Sequence, residues 1–321
     1  MAVYTTVSDA ELAAFLAGYD LGRPLALKGI AEGIENSNFL LETDRGRFIL
    51  TLYERRVAEG DLPFFLDLMR WAADRGFPCP LPQADREGGL LNGLNGRPAA
   101  VVSWLSGLAA AAPSVAQCRA AGEGCARLHA ATAGFPGERP NALGLAAWRP
   151  LWNAHREVAE RLRPGLAAEI DADLDALEAG WPRNLPSGVI HADLFPDNVF
   201  FDGEAFAGAI DFYFACTDAL AYDLAVMLGA WASRPDGSLD PRRAGALTAG
   251  YAAARPLSAA ERAALPVLVR GAAMRFFLTR LADWEAERPG ALVVRKDPLE
   301  YADKLAFHRA AAGRLAFLET A

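Results

Sequence analysis

One segment of the 321-residue sequence sets residues with chemical potential at a telling spacing: His191-Ala192-Asp193-Leu194-Phe195-Pro196-Asp197-Asn198, then Ala209-Ile210-Asp211-Phe212. An apolar run, Gly188–Ile190, leads into a loop that holds an aspartate; an asparagine follows five residues later and a second aspartate thirteen residues after that. Phosphoryl transfer from ATP needs a carboxylate that orients the attacking hydroxyl and takes its proton. It also needs hard oxygen donors for Mg²⁺, which bridges the phosphate oxygens. Asp193 fits the first role. Asn198 and Asp211 fit the second, and Asp193 to Asn198 is the Asp-x-x-x-x-Asn spacing that phosphoryl-transfer loops use. His191 reads as a hydrogen-bonding residue of the loop, and Asp197, off the spacing, as a solvated carboxylate.

The elements around this loop change character along the chain. Ser8-Asp9-Ala10-Glu11 spells a capping box ahead of Leu12, Phe15, Leu16 and Tyr19 at helical spacing. Strands are predicted at Leu25–Ile30, Asn38–Thr43, Arg47–Tyr53, Gly88–Leu91 and Pro98–Leu105, with Asp44-Arg45-Gly46 as a hairpin turn and a helix over Leu62–Asp74. After Ser106-Gly107 the pattern turns helical: Ser114–Ala130, Trp148–Arg161, Ala167–Leu177 and several helices beyond Leu220. Short strands around Asp202-Gly203 interrupt it at Ser187–Phe214. The expected fold class is α+β and bilobal: a five-stranded antiparallel sheet lobe over 1–104, then a mostly helical lobe over 105–321.

Composition narrows the function classes. A hydrophobic share of 52% with 22% charged residues is that of a globular chain, which excludes disorder. The net charge of −8 argues against a nucleic-acid partner, since phosphate neutralisation needs a basic face. No run is apolar enough for a membrane span and the first residues show no basic-then-apolar leader, so no membrane partner and a cytoplasmic location are expected. Cys79, Cys118, Cys125 and Cys216 form no CxxC pair and read as reduced packing cysteines. Of 32 basic residues only Lys28, Lys296 and Lys304 are lysines.

The chain resembles the aminoglycoside phosphotransferase and choline kinase group of protein-kinase-like enzymes, and within it the bacterial homoserine kinases of this fold. The resemblance is carried by Gly29–Phe39, Arg47–Glu54, Asp61–Phe65, Leu128-His129-Ala130, His191–Asn198, Ile210–Cys216 and Tyr222–Ala225. It implies ATP and Mg²⁺ as cofactors, L-homoserine as acceptor, O-phosphohomoserine as product and a place in threonine biosynthesis. It implies no oligomeric state. It also places the phosphate-covering loop at Gly29–Phe39, where Gly33 permits a tight turn, the amides of Glu35, Asn36, Ser37 and Asn38 face phosphate, and Ser37 and Asn38 add side-chain donors. Protein kinases put a lysine on the third strand; here the matching residue is Thr51, as in the homoserine kinases that the chain resembles. The hinge, with Ser103, Trp104 and Leu105, offers backbone groups to adenine. Relatives use the aspartate matching Asp223 to brace the catalytic loop.

Homoserine is a zwitterion, so its site needs a cation for the carboxylate and an anion or carbonyl for the ammonium. Tyr213 lies near the transferred phosphate in relatives. Arg275 and Arg280 on a helix over Val267–Trp284 are candidate carboxylate partners, with Asp283 for the amine. Asp218 either faces substrate or caps the helix near Ala219. The rival readings are a kinase for another amino alcohol or amino sugar, or a silent ATP-binding module.

Overall fold

The computed structural model describes residues 4–30, 36–54, 58–285 and 296–310, which group into two compact units, one ending at Ser106 and the other beginning at Gly107.

In the first unit, α1 (Asp9–Leu16) opens with the complete capping box: the Ser8 hydroxyl accepts the Glu11 amide and the Glu11 carboxylate accepts the Ser8 amide. Then come β1 (Pro24–Gly29), β2 (Ser37–Thr43), β3 (Gly46–Leu52), α2 (Leu62–Asp74), β4 (Asn92–Leu94) and β5 (Arg97–Ser103). The strands form one antiparallel sheet in the order β1-β2-β3-β5-β4. Its inner face buries Leu41, Leu50, Leu52 and Val101 against Leu12 and Leu16 of α1 and against Tyr19. The fourth strand is not the expected Gly88–Leu91. There the Asp85 carboxylate accepts the amides of Glu87 and Gly89 and curls the chain into a turn. The strand forms after it, because Asn95 and Gly96, at φ of 52° and 71°, make the primed hairpin turn that aligns β4 with β5.

The second unit runs β6 (Leu108–Ala109), α3 (Val115–Ala131), α4 (Leu145–Leu162), α5 (Leu166–Gly180), β7 (Ser187–Ile190), β8 (Val199–Asp202), β9 (Ala205–Ala209), β10 (Cys216–Ala219), α6 (Leu220–Trp231), α7 (Pro241–Ala254), α8 (Ala259–Trp284) and α9 (Leu299–Ala310). β8 and β9 form the expected hairpin; β6 joins the free edge of β8, and β10 pairs with β7. α8 starts well before Val267, at another capping box, between Ser258 and Glu261, and tolerates Pro266 within it. α3 and α7 pack at backbone contact. A Cβ at Gly122 would fall 2.0 Å from the Leu247 carbonyl oxygen, so a side chain there would push the helices apart. Trp148, Trp152, Ile170, Leu174, Met274, Phe277 and Leu305 fasten α4, α5, α8 and α9 into one core. None of the described helices is long and apolar enough to cross a membrane.

Candidate active site

The segment after β7 is held from behind by buried charge. His191 has no exposed surface. Its Nδ1 accepts the Asp193 amide at 3.3 Å, so the ring proton sits on Nε2 and is donated to the Ile210 carbonyl at 2.9 Å. Burial pushes the His191 imidazole below its ordinary value, and the Phe212 ring lies 4.8 Å from it. His191 is therefore a neutral strut of fixed tautomer between the two loop segments.

Asp223, in the first turn of α6, is equally buried and accepts the amides of His191 at 2.8 Å and Ala192 at 2.7 Å. Burial alone would raise its carboxyl, but the hydrogen bond and charge of His129 and the loop amide together hold it below the usual carboxylate range. His129 reaches it from α3 at 3.0 Å and contacts the Tyr251 hydroxyl of α7 at 2.9 Å on its other nitrogen. Cys125, His129 and Asp223 cluster closely enough to hold a metal ion. The donor set does not fit one, because both Asp223 oxygens already take backbone amides and burial keeps the Cys125 thiol protonated, well above its ordinary value.

Two non-glycine residues at positive φ mark the two loop segments: Ala192 at 63° and Asp211 at 64°. Each costs roughly 1–3 kcal/mol, a strain that concentrates where a chain must aim a side chain. Ala192 turns the backbone so that Asp193 leaves the buried strut half-exposed, and Asp211 does the same ahead of the turn Phe212–Phe214. Asn198 couples to Asp193 directly: its Nδ2 donates to the Asp193 carbonyl at 2.8 Å and to the Asp193 carboxylate at 3.1 Å. Its own carbonyl accepts the Ile210 amide at 2.9 Å, which ties Asp211 to the same frame. With Nδ2 committed, Oδ1 of Asn198 and the Asp211 carboxylate are hard oxygens suited to a divalent cation.

The other sequence-predicted residues divide. Gly33 and Glu35 lie outside the described residues. The Ser37 hydroxyl is fully buried, accepts the amides of Tyr4 and Thr5 and donates to Glu54 at 2.6 Å, so it holds the Tyr4–Thr5 backbone rather than facing outward. Asn36 is buried and accepts the Glu54 amide. Thr51 is buried and donates to Oδ1 of Asn38, its cross-strand partner, at 2.8 Å. Ser103 is tied to Leu81 through its amide and hydroxyl, and the Trp104 amide to Arg47, while the half-buried Leu105 follows them. Trp104 is 36% exposed, with the Arg47 guanidinium 5.3 Å from its ring centroid, so it is no core residue. Lys28 is exposed on β1.

Tyr213 is half-buried in the turn after Asp211. Asp218 does not cap α6, whose cap residue is Ala219; its carboxylate accepts the Asn141 side chain at 2.7 Å and the Ala219 amide. Arg280 is engaged by Glu300 at 2.6 Å and by the Asp297 carbonyl. Arg275 departs most from expectation. It is 2% exposed, and its guanidinium turns inward to the Ala192 carbonyl. Sequence reasoning missed this contact, and it missed Tyr251 and Cys125 behind Asp223.

A sequence model of the phosphotransferase enzyme family (APH) matches residues 26–257. The chain is 62% identical to the homoserine kinase of Caulobacter vibrioides (strain NA1000 / CB15N) over 310 residues, 96% of this chain and 98% of that protein. It is 63% identical to the homoserine kinase of Caulobacter sp. (strain K31), over 96% of this chain and 97% of that protein. Among solved structures, an aminoglycoside phosphotransferase from Alicyclobacillus acidocaldarius superposes with a TM-score of 0.68 at 18% identity, covering 98% of this chain and 95% of that one. That likeness speaks for the fold.

Proposed function

The chain belongs to the phosphotransferase enzyme family, and from that premise we propose that it transfers the γ-phosphoryl group of ATP to the side-chain hydroxyl of L-homoserine, giving O-phosphohomoserine. The acceptor assignment rests on the relatives of about 60% identity that bear the name homoserine kinase across nearly their whole length. The observation that carries the reaction type is the Asp193–Asn198 pair, in which the Asn198 amide holds one carboxylate oxygen of Asp193 at 3.1 Å. Fixing one oxygen sets the direction in which the carboxylate points, as a base for an attacking alcohol requires.

In this reading Asp193 orients the homoserine hydroxyl and takes its proton as the oxygen attacks phosphorus. Asn198 keeps the carboxylate aimed, and His191 with Asp223 keeps the loop from relaxing. Asn198 Oδ1 and the Asp211 carboxylate would hold Mg²⁺, which when bound neutralises charge on the phosphate oxygens. Asn38 and the Leu105 backbone are the nucleotide-facing candidates of the first unit, with Thr51 holding the Asn38 side chain through its hydroxyl. Tyr213, Asp218 and Arg280 remain the candidates for holding the amino acid.

The test is an ATP-consumption assay against homoserine, choline, ethanolamine and an aminoglycoside, run with Asp193→Ala beside wild type. Homoserine-dependent turnover should fall by about 10²–10⁴ in the variant, the range for losing a positioned base. Turnover within a few-fold of wild type, or preference for another acceptor, refutes the reading.

A further inference from the structure

A cation is buried beside the catalytic loop with no carboxylate paired to it among the described residues. Arg275, on α8, lies with its guanidinium 5.4 Å from the Phe214 ring centroid and 4.5 Å from that of Phe276, and donates to the Ala192 carbonyl. Taking an arginine out of water without a counter-charge is costly, so a fold that keeps one must compensate it. Two aromatic rings and the Ala192 carbonyl meet it, and that carbonyl belongs to a residue gripped from both sides. Asp223 accepts the Ala192 amide at 2.7 Å while Arg275 takes the Ala192 carbonyl, so an anion and a cation grip the two polar groups of one residue from α6 and α8.

That residue is the strained one. Ala192 holds a φ of 63°, which a Cβ disfavours, and rotating it toward ordinary values would swing its amide off Asp223 or its carbonyl off Arg275. The carbonyl that Arg275 holds belongs to the same peptide plane as the Asp193 amide, whose hydrogen goes to His191 Nδ1 at 3.3 Å. The plane is thus pinned on its oxygen side by Arg275 and on its nitrogen side by His191, and Asp193 grows directly from it. We propose that Arg275 is a positioning residue: it stores the left-handed turn at Ala192 and so aims the Asp193 carboxylate. The role rests on Asp193 being the base, and it replaces the one that helix-face reasoning gave Arg275, contact with the acceptor's carboxylate.

The test compares Arg275→Met, Arg275→Gln and Arg275→Lys with wild type, measuring kcat and both KM values on folded enzyme, with Asp193→Asn in parallel. Arg275→Met should lose roughly 10²-fold in kcat, the effect of misplacing a catalytic group by about an ångström, with both KM values unchanged. Arg275→Lys, which keeps a charged donor, should recover about tenfold of that loss. A raised KM for homoserine with kcat intact would make Arg275 a substrate ligand and overturn the proposal. So would a normal kcat in Arg275→Met beside a dead Asp193→Asn. Should Arg275→Met not fold, kcat must still rank wild type above Lys above Gln, and equal values for Lys and Gln overturn the role. An active Asp193→Asn would instead refute the base assignment on which the proposal stands.

Discussion

Replacing Asp223 with alanine strikes the site where it depends most on buried geometry. The carboxylate has no exposed surface and receives the His191 amide at 2.8 Å, the Ala192 amide at 2.7 Å and His129 Nε2 at 3.0 Å. Alanine leaves three donors without an acceptor in a place closed to solvent. Each orphaned buried donor costs about 1–3 kcal/mol, and partial relaxation of the loop brings the sum to about 3–6 kcal/mol. Because the unit holds roughly 200 residues, that corresponds to a melting-temperature drop of about 6–24 °C at about 2–4 °C per kcal/mol. Asp223→Asn keeps one acceptor oxygen but turns an NH₂ toward an amide donor, so it should show about half the loss. The folded carboxyl lies below its unfolded value, so its contribution is complete above the carboxylate range and is lost only as pH falls through the depressed folded value. Titration of Asp223 itself therefore adds no pH dependence to the mutational loss between about pH 5 and 8. Denaturant titrations across that range, with kcat measured on each folded variant, provide the assay. A loss for Asp223→Ala under about 1 kcal/mol, or a kcat within about threefold of wild type, would refute the claim that this carboxylate holds the loop.

Two further outcomes follow. Asp211→Asn should raise the Mg²⁺ concentration for half-maximal turnover by roughly an order of magnitude or more, since it removes a charged oxygen donor, and an unchanged magnesium titration removes Asp211 from the metal site. His308 on α9 is 5% exposed, and burial, aided by the charges of Lys304 and Arg270, lowers its imidazole to about 4. The unfolded chain takes up its proton below about 6.5 while the folded one stays neutral, so this residue makes stability fall as pH drops from about 6.5 to 4, by up to about 3 kcal/mol. His308→Leu should lessen that acid loss in denaturant midpoints, and equal pH slopes in variant and wild type contradict it.

The fold is legible in the sequence wherever periodicity is long or a cap is local. The Ser8–Glu11 box, the Leu62–Asp74 helix and the β2–β3 hairpin all rest on contacts within a few residues, so neighbouring letters carry them. The strand expected at Gly88–Leu91 fails because glycines there serve an aspartate-centred turn, whereas Asn95-Gly96 a few residues on held the better hairpin signal. β6 and β10 are too short to show a period, and they form only because β8 and β7 offer free edges.

The residues proposed to react stand out in the sequence because phosphoryl-transfer chemistry demands fixed types at fixed spacing along one loop. Their supports do not, since pairing across the fold sets them and no spacing rule links Arg275 to Ala192 or His129 to Asp223. The phase of α8 did carry a signal. Leu268, Ala272 and Leu278 are buried, and Arg275 falls on the same stripe, seven residues after the first and three from each of the others. An arginine set in register with core residues cannot be a solvated helix face, so periodicity alone marks it as a buried cation that needs an acceptor. What the sequence cannot supply is the acceptor's identity. The same phase would suit a substrate carboxylate, an internal aspartate or a backbone carbonyl, and only the turn at Ala192 brings the carbonyl to it. Ser37 shows the converse. Its place in a polar turn invites a phosphate-binding role, yet its position at the start of β2 delivers its hydroxyl to Tyr4, Thr5 and Glu54. A side chain that can donate to a ligand will first satisfy the nearest buried partner, so a proposed phosphate contact in this unit falls to groups that the sheet leaves uncommitted.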